Sequence, residues 1–241
     1  MSDCLRTSAS ERRRTEREHP LEIKNMGEDQ DAAMASSSSA SPIICISAGA
    51  SHTVCLSSNA LSGSGSGSGS TTTLYTWGSN EDGQLGHEDS ENTHYPKEVE
   101  TIASTAVVST VVCGANHTVA VVEASKELYA WGWGDFGRLG HGDPGDRLIP
   151  APVAALTGVQ VQNVACGDSH CLVVAREGKL FTFGRNQNGQ LGLGDTEDRL
   201  TPMLVSSLWD QGVRVKRAAG KDKVTCIYSQ TSGPALLPVF T

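Results

Sequence analysis

Two motifs each return three times along this chain, and that repetition constrains its fold more than any other feature. "LYTWGSNEDGQLGHED" from residue 74, "LYAWGWGDFGRLGHGD" from 128 and "LFTFGRNQNGQLGLGD" from 180 are versions of one pattern. "SAGASHTVCL" from 47, "VCGANHTVAV" from 112 and "ACGDSHCLVV" from 165 are versions of another. Gly78, Gly132 and Gly184 lie 54 and 52 residues apart, as do Pro96, Pro150 and Pro202. Gly114, Gly167 and Gly220 are spaced 53 and 53. A fixed period near fifty means that each copy is one supersecondary unit, able to bury its apolar face only against its neighbours. Within a copy, "GVQVQNVAC" and "GVRVKRAA" alternate Val with polar residues, the period of a half-buried strand. "HTVAVV" and "ELYAW" are rich in β-branched and aromatic residues, and Gly and Pro punctuate the pieces. No stretch carries a sustained helical period, although Thr201 to Trp209 has room for a turn. Several short strands per unit predict an all-β fold, a partial β-propeller of about three blades, each of three or four antiparallel strands.

The repeats occupy 43–220. Only the step from Gly49 to Gly114 is long, at 65 residues, and "SGSGSGSGSTTT" at 62–73 accounts for the excess as a flexible low-complexity insertion. Residues 1–42 carry mixed charge and a serine run, too little apolar surface to offset ordering entropy, and are expected to be disordered. Net charge is −8 over 241 residues. An acidic body argues against broad, charge-driven binding of nucleic acid. There are seven cysteines, without a CxxC pair or a secretory apolar region, which points to a reducing cytoplasmic or nuclear setting. No apolar run has the length of a membrane span.

"WGWGDFG" contains Gly132-x-Gly134-x-x-Gly137, the spacing of a dinucleotide fingerprint. That fingerprint needs a helix directly after it, and "RLGHGDPGDRLIPAP" cannot propagate one. The sister copies keep Gly78/132/184, Gly83/137/189 and Gly86/140/192 but not Gly134, so the shared glycines suit turns or close strand approach. His52, His117 and His170 sit at one repeat position, which a ring would carry apart; they are expected to be core histidines bonded by a neighbouring strand. Cys113 and Cys166 stand where other copies have Ala48 and Ala219, as small apolar residues. Cys171 follows His170, but adjacent strand residues face opposite sides, so the two make no nucleophile and base. No catalytic, cofactor-binding or metal-ligating set is read from the sequence. Trp133 has no aromatic counterpart in its sisters, which have Ser79 and Arg185, and stands out as an exposed anchor for a partner.

Together, "LYxWGxxxxGQLGxGD", a later Pro and "CGxxHT" resemble the repeats of the regulator of chromosome condensation family over residues 43–220. "ICISAGASH" at 44–52, "WGWGDFGRLGHG" at 131–142, "ACGDSHCL" at 165–172 and "GRNQNGQLGLGDTED" at 184–198 are similar to the first three repeats of one branch, the plant ultraviolet-B receptors. The resemblance implies a propeller, commonly of seven blades, of which this chain holds the N-terminal part. It implies a non-enzymatic protein-interaction or light-signalling scaffold that needs no cofactor. That branch senses ultraviolet light with its own tryptophans, in "GWRHT" motifs of later repeats, and no such motif occurs here. It also implies a homodimer or protein partner held by charge pairs on an acidic propeller face. The matching positions are Glu81, Asp82, Glu91, Trp133, Asp135, Asp146 and Arg185. The alternative that the family suggests is guanine nucleotide exchange on a small GTPase, or a chromatin partner. After "VRVKRAAG" the pattern predicts "xxHT", but Lys223 stands at the expected histidine. Residues 221–241 therefore read as a divergent tail on a truncated array.

Overall fold

The computed structural model describes residues 41–59, 71–103 and 107–229. Three four-stranded antiparallel sheets follow one another along the chain, each in sequential strand order. The first comprises β1 (Ile43–Ala48), β2 (His52–Asn59), β3 (Thr71–Gly78) and β4 (Thr93–Glu98). The second comprises β5 (Val108–Cys113), β6 (His117–Val122), β7 (Leu128–Gly132) and β8 (Arg147–Pro152). The third comprises β9 (Val161–Cys166), β10 (His170–Ala175), β11 (Leu180–Gly184) and β12 (Arg199–Leu204). A two-stranded sheet of β13 (Val215–Lys221) and β14 (Val224–Ser229) begins a fourth blade. Two short helices, α1 (Glu100–Ala103) and α2 (Ser206–Asp210), lead out of the first and third blades. The turn expected within Thr201 to Trp209 is thus divided between β12 and α2. The disorder expected at the N-terminus lies outside the described residues up to residue 40. The Gly/Ser insertion lies outside them over 62–70, while Thr71–Thr73 belong to β3.

The tail departs from the sequence count. Counting from Gly220 sets Lys223 at the histidine position. In the structure the β13–β14 pairing is offset by one residue, Gly220 facing Thr225 and Ala219 facing Cys226. Thr225 thereby takes the place held by Thr118 and Cys171 in the preceding blades, and a strand forms through Ser229.

The core lies between blades rather than inside any one of them. One cluster joins the first two blades through Val54, Leu56, Leu74, Val111, Ala120 and Trp131. A second joins the next two through Val119, Ala130, Leu139, Val164, Val173 and Phe183. A third seats the last hairpin through Leu172, Val174, Val215 and Ile227. Alternating strand residues face opposite sheet surfaces. Every blade can therefore contribute to two clusters, and burial of apolar area supplies most of the cohesion.

A polar latch spans each of these interfaces. His52 donates from Nε2 to Thr118 Oγ1 at 3.0 Å, and Thr118 Oγ1 donates to the Gln84 carbonyl at 2.8 Å. His170, Thr225 and Gln190 repeat the arrangement at 3.0 and 2.9 Å. A hydroxyl has one proton, and each spends it on the carbonyl, so the imidazole must be the donor. The ring lies flat over the glycine of the motif: a Cβ on Gly114 would sit 1.9 Å from His117 Cε1. The recurring G-x-x-H-T is thus a ring, the space for it, and its acceptor on the next blade.

The question of the glycines also closes here. Gly132 has φ +101° and a Cβ there would meet the Asn116 carbonyl at 2.7 Å, with its sisters Gly78 and Gly184 alike. Replacing Gly132 by Ala should therefore cost about 2 kcal/mol or more, from strain plus the clash, read as a fall in the urea midpoint. An unchanged midpoint would contradict the close approach.

Burial, aided by the nearby His117 ring, pushes the pKa of His52 down to about 4, and that of His170 likewise. An unfolded histidine titrates near 6.5. The unfolded chain thus binds more protons between those values, and stability is full above about pH 6.5 and lost as pH falls toward 4. The urea midpoint should fall between pH 7.5 and 4.5, and His52→Gln should shrink that fall. An identical fall in the variant would remove His52 from the explanation.

Candidate protein-interaction site

The long loops after β3, β7 and β11 gather on one rim. In the first, Asn80 holds the loop: its backbone N–H donates to Asn92 Oδ1 at 2.7 Å, and its Nδ2 donates to Asp89 Oδ1 at 2.9 Å. Its Oδ1 accepts from the Leu85 N–H at 2.9 Å. Asn186 does the same with Asp198, Asp195 and Leu191. The middle loop has Gly134 at this place, and there Asp146 Oδ1 accepts the Gly134 N–H at 2.7 Å. Asp146 therefore staples its own loop with one oxygen while the residue stays exposed.

A second substitution reshapes the middle loop. Gln84 and Gln190 each accept a backbone N–H two residues earlier, from Asp82 and Asn188. Arg138 stands in their place and has no acceptor to offer. It donates instead from Nε to the Asp135 carbonyl at 3.0 Å, and Phe136 takes φ +61°. Exchanging a side-chain acceptor for a donor turns the local backbone over. The guanidinium then stacks on Trp133, 3.8 Å from the ring centroid, and lies 5.5 Å from Phe136. Arg185 of the third blade covers Phe136 at 4.7 Å. Two cations and two aromatic rings thus alternate along the rim, an arrangement favoured by the negative faces of the rings. Arg138 is fully buried, and its two terminal nitrogens have no hydrogen-bond partner. Burial pushes its pKa down to about 10, against the pull of Asp135.

The residues singled out from the sequence divide into two kinds. Glu81, Glu91 and Asp135 are exposed, and no hydrogen bond engages their carboxylates among the described residues. Asp82, Trp133 and Arg185 are half-buried and engaged. Asp82 accepts from Asn116 Nδ2 at 2.9 Å, a bond from the first blade to the second. Trp133 has one face covered by Arg138 and is half-buried rather than exposed. Arg185 bonds Gln187 as well as covering Phe136. Asp89 and Asp143, elsewhere on the rim, pair with Lys97 at 3.7 Å and Arg147 at 2.7 Å. Phe136 and Arg138 escaped the sequence reading. The signal was there, since Arg138 replaces the Gln of the sister "GQLG" copies.

A further cluster lies beneath the rim. His170 bonds forward to Thr225, while Cys171 meets the histidine of the preceding blade, His117, at 3.1 Å. Cys171 Sγ also lies 3.4 Å from Cys166 Sγ, and 3.4 Å from the Arg138 carbonyl, to which it can donate. One ligand atom from each of His117, Cys166 and Cys171 falls within a 4.8 Å circle, in a buried place. His52 and His170 bond hydroxyls of the following blades, while His117 converges with two cysteines of the next blade. Burial works to push the Cys171 thiol up. The Cys166 hydrogen bond, His117 and the nearby Arg138 charge outweigh it and hold Cys171 below its usual range. Burial and the Cys171 sulfur push Cys166 up.

Comparison with known proteins places this geometry. The model of the regulator of chromosome condensation (RCC1) repeat matches residues 73–121, 127–174 and 177–227, more than half of the chain. The Ultraviolet-B receptor UVR8 of Arabidopsis thaliana is 47% identical over 186 residues, covering 77% of this chain and 39% of that protein. The human E3 ubiquitin-protein ligase HERC2 is 39% identical over 142 residues, which is 58% of this chain and 3% of HERC2. Among solved structures, human WBSCR16 superposes with a TM-score of 0.64 at 24% identity, over 78% of this chain and 44% of its own. Prp20p of Saccharomyces cerevisiae gives 0.63 at 21%, over 75% and 42%. The chain thus spans well under half of the length of each of these proteins. With a matching repeat model, the inter-blade core and the recurring histidine latch in agreement, the chain belongs to the regulator of chromosome condensation (RCC1) repeat family.

Proposed function

We propose that this chain is a non-enzymatic protein-interaction module whose acidic rim docks a basic surface of a protein partner. One observation carries the reading. Glu81 and Glu91 in the loop after β3, and Asp135 in the loop after β7 that carries most of the Trp133–Arg138–Phe136–Arg185 stack, are exposed with carboxylates that accept no hydrogen bond among the described residues. Other rim acids are spent on their own loops: Asp146 on Gly134, Asp143 on Arg147, Asp89 on Asn80 and Lys97. A fold that had no use for free carboxylates here has the means to pair them. The stack supplies a half-covered aromatic surface for an apolar contact, and the free acids of the first and second loops supply charge for a basic partner. Kinship with the Arabidopsis ultraviolet-B receptor makes light signalling the setting in which such a module would act, by analogy. The reading rests on docking, because the observations that carry it lie in the rim loops. No inserted hairpin in these loops favours nucleotide exchange on a small GTPase.

The test is binding of a Lys/Arg-rich peptide to the full chain, measured by calorimetry at two salt concentrations. Replacing Glu81, Glu91 and Asp135 together with their amides should weaken binding roughly tenfold, about 0.5 kcal/mol for each exposed pair. Salt dependence should fall with it, and the circular dichroism spectrum should not change. Trp133→Ala should weaken binding without altering the salt dependence. Equal affinity for the peptide in the amide variant, or binding indifferent to salt, would overturn the proposal.

A further inference from the structure

The latch between the second and third blades differs chemically from the other two. Thr118 and Thr225 are hydroxyls, which mild oxidants leave alone. The third latch uses the thiol of Cys171, and a second thiol, Cys166, faces it directly across the β9–β10 hairpin. Their sulfurs lie 3.4 Å apart, and no other two cysteine sulfurs are hydrogen-bonded among the described residues. Gly167 N–H donates to the His170 carbonyl at 2.9 Å, closing the hairpin one step further on. Cys166 and Cys171 therefore occupy a non-hydrogen-bonded pair, where Cα atoms stand about 4.5 Å apart. That separation lies within the range that a disulfide spans.

Two further groups address the Cys171 sulfur. His117 Nε2 lies 3.1 Å away. The buried Arg138 guanidinium has no hydrogen-bond partner at its two terminal nitrogens, and Asp135 and the Cys171 sulfur both act on its charge. A buried charge is costly, and a thiolate on Cys171 would join Asp135 in offsetting it. Cys166 holds the other role, a neutral thiol beside an activated one. Cys166 lines a cleft of about 410 Å³ formed by the inner strand ends Ala48–Ala50, Cys113–Ala115 and Gly220–Asp222, while Cys171 is fully buried behind it, so a small oxidant reaches Cys171 past Cys166 when the hairpin opens locally.

We propose that Cys166 and Cys171 are a modification site, a dithiol that a hydroperoxide converts to a cross-strand disulfide. The Cys171 thiolate attacks one peroxide oxygen, the O–O bond breaks and hydroxide leaves, giving a sulfenic acid on Cys171. The Cys166 sulfur then attacks the Cys171 sulfur, its proton leaves with the sulfenic oxygen as water, and the S–S bond forms. Thiolate, thiol and hydrogen peroxide become disulfide, hydroxide and water, with two electrons passing from sulfur to oxygen. The latch of this blade loses its thiolate in the process, while the threonine latches are untouched.

The test uses the full reduced chain with chelator present, treated with hydrogen peroxide, denatured in an alkylating agent and digested with trypsin. Both cysteines fall in one peptide, residues 148–176. The expected product is that peptide lighter by two hydrogens and free of alkyl groups, and restored to double alkylation by a reductant. Arg138→Gln places the sister residue in the loop and should slow the reaction on the order of tenfold, as one unit of thiol pKa would. Cys166→Ala should leave Cys171 trapped as a sulfenic acid that dimedone labels. Double alkylation of the peptide after peroxide, or stepwise over-oxidation of Cys171 with Cys166 free, would overturn the proposal. So would an Arg138→Gln chain that oxidises at the wild-type rate.

Discussion

The bond from a buried histidine of one blade to the hydroxyl or thiol of the next is the interaction on which the rest of this structure depends. It reaches across each interface at the place where the apolar clusters end and the rim loops begin. His52, Thr118 and the Gln84 carbonyl form one such chain, and His170, Thr225 and the Gln190 carbonyl another. Each ties three pieces together: an inner hairpin, the neighbouring hairpin and a rim loop. Because each hydroxyl proton is committed to a carbonyl, the histidine must be the donor, and burial favours its neutral form. Cohesion then passes from neighbour to neighbour, as in other repeat proteins, with each blade incomplete until the next is seated. The last hairpin obeys the same rule, since its offset pairing delivers Thr225 to the waiting His170.

The same latch couples the scaffold to the surface. Its final acceptor is a carbonyl of the loop residue Gln84, Arg138 or Gln190. In the first and third loops that residue's side chain also accepts a backbone N–H. In the middle loop Arg138 donates, the backbone turns over at Phe136, and a buried cation is placed between Trp133 and the latch sulfur. Arg138 thus takes part both in the stack with Trp133 and Phe136 above and in the electropositive surroundings of Cys171 below. The aromatic–cationic contacts of the middle loop and the surroundings of the thiol pair meet at this one residue.

Much of the architecture was legible because repetition makes the sequence its own control. Alternating Val in "GVQVQNVAC" announced a strand, and three copies of the glycine pattern ruled out a nucleotide loop that a single copy would have suggested. The positions Glu81, Glu91 and Asp135 came from the family resemblance, and all three are exposed. The loop-stapling role of Asp146 was not legible, since its inward bond to Gly134 depends on where a loop returns. Nor was the partner of Cys171. Local alternation correctly parted it from His170, but no local rule brings His117 to it from another blade. The tail misled for a related reason: a one-residue offset in a hairpin is set by pairing and packing, and a count along the chain cannot see it.

The sequence by itself determined the all-β repeat, the positions of its turns and the chemical type of every latch residue. Those follow from periodicity, from the need for glycine at positive φ, and from the few side chains that can donate or accept when buried. Only the tertiary structure decided which residues meet. It joined His117 to Cys171 and Cys166, set Arg138 against Trp133 with its terminal nitrogens unbonded, and left three rim carboxylates without hydrogen bonds among the described residues. Contacts between blades depend on how successive sheets stack and on which loop returns to which strand, and that geometry is fixed by packing across more than fifty residues.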